Sequence, residues 1–128
     1  MAADPKMKFL VVDDFSTMRR IIKNLLRDLG FNNTQEADDG NTGLPMLQTG
    51  NFDFLITDWN MPGMTGIDLA RRILQIRPEM PIILCTGYST LISEDKAKAA
   101  GIKGFAYKPL AKNEIGELIR KVLDRKES

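Results

Sequence analysis

Lys8-Phe9-Leu10-Val11-Val12-Asp13-Asp14 is an apolar run that closes on two carboxylates. Two later runs end in the same way: Phe54-Leu55-Ile56-Thr57 closes on Asp58, and Gly104-Phe105-Ala106-Tyr107 closes on Lys108-Pro109. In a parallel α/β sheet the ligand crevice lies outside the carboxyl ends of the strands, so charges far apart in sequence meet along one edge. Three carboxylates and one ammonium gathered there repel one another unless something positive joins them. Hard oxygen ligands select Mg²⁺, which keeps several waters and is completed by phosphate oxygens. The three run ends together read as a metal-assisted phosphoryl acceptor.

Outward from these runs, short stretches rich in Val, Ile, Leu and Phe alternate with longer ones of helical period, the pattern of βαβ units around a parallel sheet. Five units are expected. Phe9 to Val12 is the first strand, and Met18, Ile21, Ile22, Leu25, Leu26 and Leu29 recur at helical spacing from Ser16 until Gly30 ends the helix. Thr34 to Ala37 is a weak second strand. The second helix is expected around Leu44 to Gln48, shortened or kinked by Pro45 unless that proline occupies the first turn. Phe54 to Thr57 is the third strand, and the turn-rich loop Asn60 to Gly66 leads to a helix from Ile67 to Ile76. Ile82 to Thr86 is the fourth strand. Ser93 is the expected N-cap of a short helix to Ala100, with Glu94 and Asp95 in the first turn, where the helix dipole favours acids. Phe105 to Tyr107 is the fifth strand, and Asn113 to Arg125 the last helix, with Ile115, Leu118, Ile119, Val122 and Leu123 inward.

At 128 residues the chain is expected to form one domain, 1–128. Its 18 basic and 17 acidic residues leave a net charge of +1, so neither nucleic acid nor a membrane is expected as a bulk electrostatic partner. The absence of histidine excludes His-based acid–base work, His-ligated zinc and a phosphohistidine on this chain. The single Cys85 lies inside Pro81-Ile82-Ile83-Leu84-Cys85 and reads as core packing in a reducing compartment. No apolar run has signal-peptide or membrane-span length, so a cytoplasmic protein is expected.

Asp13 and Asp14 are adjacent on an emerging strand end, so both cannot face the core. Helix capping by Asp14 or Ser16 explains one acid and leaves the distant partners unexplained. Asp58 is the candidate nucleophile, because a carboxylate forms an acyl phosphate and the transition state needs cations on its equatorial oxygens. Lys108 supplies one such cation. The following Pro109 suggests a fixed peptide, with the cis form open to it, aiming the ammonium at the crevice. Thr86, at the end of the neighbouring strand, offers a hydroxyl to a new phosphoryl oxygen.

Val11-Val12-Asp13-Asp14-Phe15-Ser16-Thr17-Met18-Arg19-Arg20, then Phe31-Asn32-Asn33, then Thr57-Asp58-Trp59-Asn60-Met61-Pro62 carry a specific resemblance. The chain resembles the response-regulator receiver domains of two-component signalling, and its first half most closely the chemotaxis regulators among them. The resemblance implies a flavodoxin-like (βα)5 fold, a parallel five-stranded sheet of order 2-1-3-4-5 with helices on both faces. It implies Asp58 as phosphoacceptor, and Mg²⁺ held by Asp13, Asp14 and Asp58 with the main-chain carbonyl of Asn60. It also implies Lys108 pairing with the phosphoryl group, Thr86 as the switch hydroxyl and Phe105 as the switch aromatic. A histidine kinase is the implied phosphodonor. The protein would be a monomeric phosphoacceptor that promotes its own phosphorylation and dephosphorylation, not an enzyme, with Asn60 and Tyr88 tuning the phosphoryl lifetime.

From Ile82 onward the chain looks more like receivers attached to hybrid kinases, which raises a chimera of two receivers joined near Gly66 to Ala70. The implied output surface, the fourth and fifth strands with the last helix, belongs to this unlike half, and that argues against the flagellar motor switch as partner. Phe105 carries no hydroxyl where the chemotaxis regulator has tyrosine, while Tyr107 shares its strand face and is a candidate substitute. A dehalogenase-type hydrolase would need an acid where Asn60 stands, together with a cap domain. A flavin module would need a phosphate loop where Asp13-Asp14 repel one. The remaining alternative is an engineered or chimeric receiver scaffold without a natural output.

Overall fold

The computed structural model describes residues 4–59, 61, 63–87, 94–108 and 110–125. Five strands, β1 (Lys8–Val12), β2 (Asn33–Ala37), β3 (Phe54–Asp58), β4 (Ile82–Thr86) and β5 (Gly104–Tyr107), alternate with five helices. These are α1 (Ser16–Asp28), α2 (Gly40–Thr49), α3 (Gly66–Ile76), α4 (Glu94–Ala99) and α5 (Lys112–Arg125). All strand pairs are parallel, in the order β2-β1-β3-β4-β5. This is the flavodoxin-like arrangement implied by the resemblance.

Strands buried on both faces read as continuous apolar runs, and their alternate residues divide between two cores. Phe9, Val11, Phe54, Ile56, Ile83 and Cys85 pack with Ile22 and Leu26 of α1 and with Ile115, Ile119, Val122 and Leu123 of α5. Leu10, Val12, Leu55, Ile82 and Leu84 face the opposite way, onto Leu44 and Leu47 of α2, Leu69 and Ile73 of α3, and Ala97 of α4. Phe9 is fully buried and contacts Phe31 and Phe54 at centroid distances of 4.9 and 5.1 Å. Truncation of such a side chain to alanine costs about 3–5 kcal/mol.

The second strand reads weakly because it is an edge: Asn33-Thr34-Gln35-Glu36-Ala37 has only Ala37 buried. Polar residues suit an edge that must not recruit another strand. Gly30, at φ +99°, ends α1 as expected; its N–H bonds Arg27 O at 3.0 Å and Phe31 N–H bonds Leu26 O at 2.8 Å. These two bonds form a Schellman stop, which favours glycine at the left-handed position.

Two expectations need correction. The helix α2 starts at Gly40, not near Leu44, and runs through Pro45 to Thr49. An interior proline costs roughly 3 kcal/mol, but Asp39 caps the helix by accepting Thr42 N–H at 2.8 Å, and buried Leu44 and Leu47 hold its face on the sheet. Tertiary burial outweighs the local penalty. Ile21, counted in the apolar stripe of α1, stays 41% exposed. The expected N-cap Ser93 and the peptide at Pro109 lie outside the described residues.

Candidate functional site

Register builds the site. Val12 pairs with Thr57 across β1 and β3, so Asp13 emerges beside Asp58 at the carboxyl edge. Asp58 in turn pairs with Cys85, and Thr86 pairs with Tyr107. The next residue after Tyr107 is Lys108, whose N–H bonds the Thr86 carbonyl at 2.8 Å. That main-chain tie aims the side chain into the cluster: Lys108 Nζ lies 2.8 Å from Asp58 Oδ1 and 3.1 Å from Asp13 Oδ2. Three strand ends thus converge on one ammonium.

Asp13 is fully buried, Asp58 is 7% exposed, and Asp14 faces solvent. Asp13 Oδ1 accepts Phe15 N–H at 2.9 Å, tying the carboxylate to the turn that leads into α1. Neither Asp14 nor Ser16 caps that helix; Phe15 is the N-cap and makes no side-chain capping bond. The two acids are therefore left to the crevice. Among the described residues Asp13, Asp14 and Asp58 offer carboxylate oxygens that all lie within 4.8 Å of one another. Three hard, anionic oxygens, one of them open to water, fit a small divalent cation that keeps part of its hydration. The fourth expected ligand, Asn60, lies outside the described residues.

Burial is the largest influence on Asp58 and raises its pKa above the ordinary carboxylate value. The hydrogen bond to Lys108 works against that shift, and the charges of Asp13 and Asp14 add to it. For Lys108, burial is again the largest single influence and acts downward, but the bond to Asp58 and the charges of Asp13 and Asp58 together raise its pKa. The site is an uneven charge set in which the Lys108 ammonium contacts two of three clustered carboxylates.

Thr86 is buried at the end of β4, and among the described residues its Oγ1 makes only a long, 3.4 Å contact with Gly87 O. A hydroxyl held so loosely is available to a new oxygen acceptor. Phe105 is half-buried against the core, and its ring meets that of Tyr107 edge-on, centroids 5.1 Å apart at 67°. The shared strand face of these two rings is as expected, and Tyr107 is 48% exposed. Cys85 is fully buried, and burial pushes its thiol up to about 12, in keeping with a core role.

Sequence reasoning missed two supports of the site. The α3 start carries a capping box in which Asp68 N–H bonds Thr65 Oγ1 at 3.2 Å, and Thr65 N–H bonds Asp68 Oδ2 at 3.4 Å. The Thr65-x-x-Asp68 spacing was the available signal. Inside it, Gly66 N–H bonds Trp59 O at 2.9 Å, and a Cβ at Gly66 would collide with Asp58 O and stand 2.7 Å from Leu84 Cδ1. Glycine lets α3 begin directly against the end of β3. The second support is Arg19, whose Nη1 donates to the Asp13 carbonyl at 2.6 Å. No local pattern announces a bond from a helix side chain to the preceding strand end.

A sequence model described as the response regulator receiver domain matches residues 9–120. The chain belongs to this receiver family. It is 55% identical over 121 residues to chemotaxis protein CheY of Pseudomonas aeruginosa, covering 93% of this chain and 98% of that protein. It is 53% identical over 121 residues to CheY-3 of Vibrio cholerae, covering 93% of each. A receiver-domain structure from Clostridium thermocellum superposes with a TM-score of 0.85 at 32% identity, over 94% of this chain and 97% of that one. A CheY-like receiver from Methanospirillum hungatei gives 0.86 at 27%, over 95% and 97%. The chain is thus a CheY-like receiver domain with an acidic cluster compatible with a metal site. The chemotaxis relatives align through the join expected near Gly66 to Ala70, so the idea of two parents receives no support. Among the described residues no helix is long and apolar enough to cross a membrane.

Proposed function

We propose that this receiver is the phosphoacceptor of a two-component pathway, taking a phosphoryl group from a histidine kinase onto Asp58 and presenting the changed α4, β5 and α5 face to a downstream protein. The observation that carries the reading is the bridging ammonium: Lys108 Nζ within 3.1 Å of both Asp13 and Asp58 at the carboxyl edge of the sheet. In the transfer, Asp58 Oδ forms a bond to phosphorus as the P–N bond of phosphohistidine breaks, and the electron pair leaves on the imidazole nitrogen. Lys108, already on Asp58, follows the new phosphoryl oxygens. Thr86 Oγ1 gives up its long contact with Gly87 to donate to one of them, and movement at Thr86 frees Phe105 to change its packing. Asp13, Asp14 and Asp58, joined by the Asn60 carbonyl, would hold Mg²⁺, which when bound supplies positive charge to the phosphoryl oxygens.

The protein acts as a stoichiometric switch that promotes its own phosphorylation and dephosphorylation, in the cytoplasm, as a monomer. Chemotaxis is the setting supported by the relatives, whose identity extends over both halves of the chain. A shift of this kind requires only a few kcal/mol of bias between two packings of the output face.

Trp59, the single tryptophan and the neighbour of Asp58, provides the test. Its emission is expected to change on Mg²⁺ addition and again on addition of acetyl phosphate. The second change, and the phosphoryl adduct in the intact mass, should disappear in Asp58→Asn. An adduct that persists in that variant would overturn the assignment of Asp58.

A further inference from the structure

We infer that Arg19 is a positioning residue for the acidic pair: it holds the peptide between Asp13 and Asp14 so that Asp14 is presented to the metal, and it thereby sets the affinity of the site for Mg²⁺. The inference rests on the proposed function. Asp14 is exposed, whereas Asp13 is fully buried and held at four of its atoms. Its N–H bonds Ala37 O at 3.2 Å, its Oδ1 accepts from Phe15, its Oδ2 meets Lys108, and its carbonyl accepts Arg19 Nη1 at 2.6 Å. The last contact is the one that reaches Asp14. A peptide unit is planar, so fixing the Asp13 carbonyl fixes the Asp14 N–H and the direction in which Asp14 leaves the strand.

Arg19 is itself held. Its Nε donates to Glu36 Oε1 at 3.1 Å, and Lys23 Nζ lies 3.8 Å from the other oxygen of the same carboxylate. Glu36 sits on β2, so the guanidinium fork spans the edge strand and the end of β1 from the first turns of α1, with a side chain only 17% exposed. A lysine cannot reproduce that fork, because its ammonium is a point donor on a flexible stem.

Charge and geometry predict opposite signs. Arg19 is a cation near a cation site, so by charge alone its removal would tighten Mg²⁺ binding. By geometry its removal loosens the ligand and weakens binding, since loss of a contact that orients a metal ligand typically costs tenfold or more.

The experiment is a Mg²⁺ titration followed by Trp59 emission in the unaltered protein, Arg19→Met, Arg19→Lys and Glu36→Gln, each with its urea unfolding curve measured without metal. The dissociation constant is expected to rise about tenfold in Arg19→Met, to recover in part in Arg19→Lys, and to rise less in Glu36→Gln, which keeps the carbonyl bond but loses its tether. An unchanged or lower constant in a folded Arg19→Met overturns the inference and leaves the proposed function standing. Should Arg19→Met not unfold cooperatively, Arg19→Lys decides instead: it keeps the positive charge and loses the fork, so a constant equal to or below that of the unaltered protein overturns the inference. No Mg²⁺ response in the unaltered protein would overturn the proposed function, and this inference with it.

Discussion

The two edges of the sheet use the same residue types to opposite ends. At the amino edge charges close on main-chain groups: Arg77 donates to Phe52 O at 3.0 Å and to Gly50 O at 2.8 Å, and Lys8 N–H bonds Asp53 Oδ2 at 2.9 Å. The Lys8 ammonium lies 4.5 Å from the centre of the Phe52 ring. At the carboxyl edge Asp13 and Asp58 share one lysine while Asp14 points to water. Charges that complete main-chain hydrogen bonds stabilise the fold, and charges left short of partners mark the place where something else must bind.

The largest effect on this contrast is expected from Lys108→Met. It leaves two carboxylates at the carboxyl edge without their cation, and removal of one such stabilising donor slows a reaction roughly 10²–10³-fold. Rates of adduct formation with acetyl phosphate, read by intact mass, test it, and a rate within twofold of the unaltered protein would remove Lys108 from the reaction.

At the other edge Arg77→Ala should do the reverse. It strands two main-chain carbonyls and costs on the order of 2 kcal/mol, the scale of hydrogen bonds to a charged group, while the adduct rate stays unchanged. Urea midpoints and adduct kinetics on one preparation separate the two effects. A changed rate with an unchanged midpoint would show that the edges are not independent.

The smallest expected effect is a pH slope. The pKa of Asp58 is raised in the folded chain, so between its ordinary value of 3.8 and its folded value the native state holds more protons than the unfolded state. Stability must then fall as pH rises through that window. Asp58→Asn removes the contribution, so its advantage over the unaltered protein in metal-free urea unfolding should grow with pH there and level off above it. A constant difference across the window would contradict the raised value.

Strands β1, β3 and β4 are legible as runs because both of their faces are buried, so Phe9 to Val12, Phe54 to Ile56 and Ile82 to Cys85 are apolar whichever way they point. The site was legible for a related reason. Asp13, Asp58, Thr86 and Lys108 interrupt apolar runs at strand ends, and parallel order alone brings strand ends to one edge. Pro45 reads as a break because its penalty is local, whereas the burial of Leu44 and Leu47 that offsets it is tertiary. Ile21 misled because helical spacing defines a stripe wider than the surface that the sheet and α5 cover.

By itself the sequence determined the elements, the parallel class and the kinds of charge at each strand end, since these follow from residue type and period along the chain. Only the tertiary structure decided that Lys108 contacts both Asp13 and Asp58, that Gly66 must lie against the Asp58 carbonyl, and that Arg19 reaches back to the Asp13 carbonyl. These contacts depend on register and on side chains crossing between elements. Distances of that kind are fixed when the sheet closes on its helices, and no spacing in one dimension contains them.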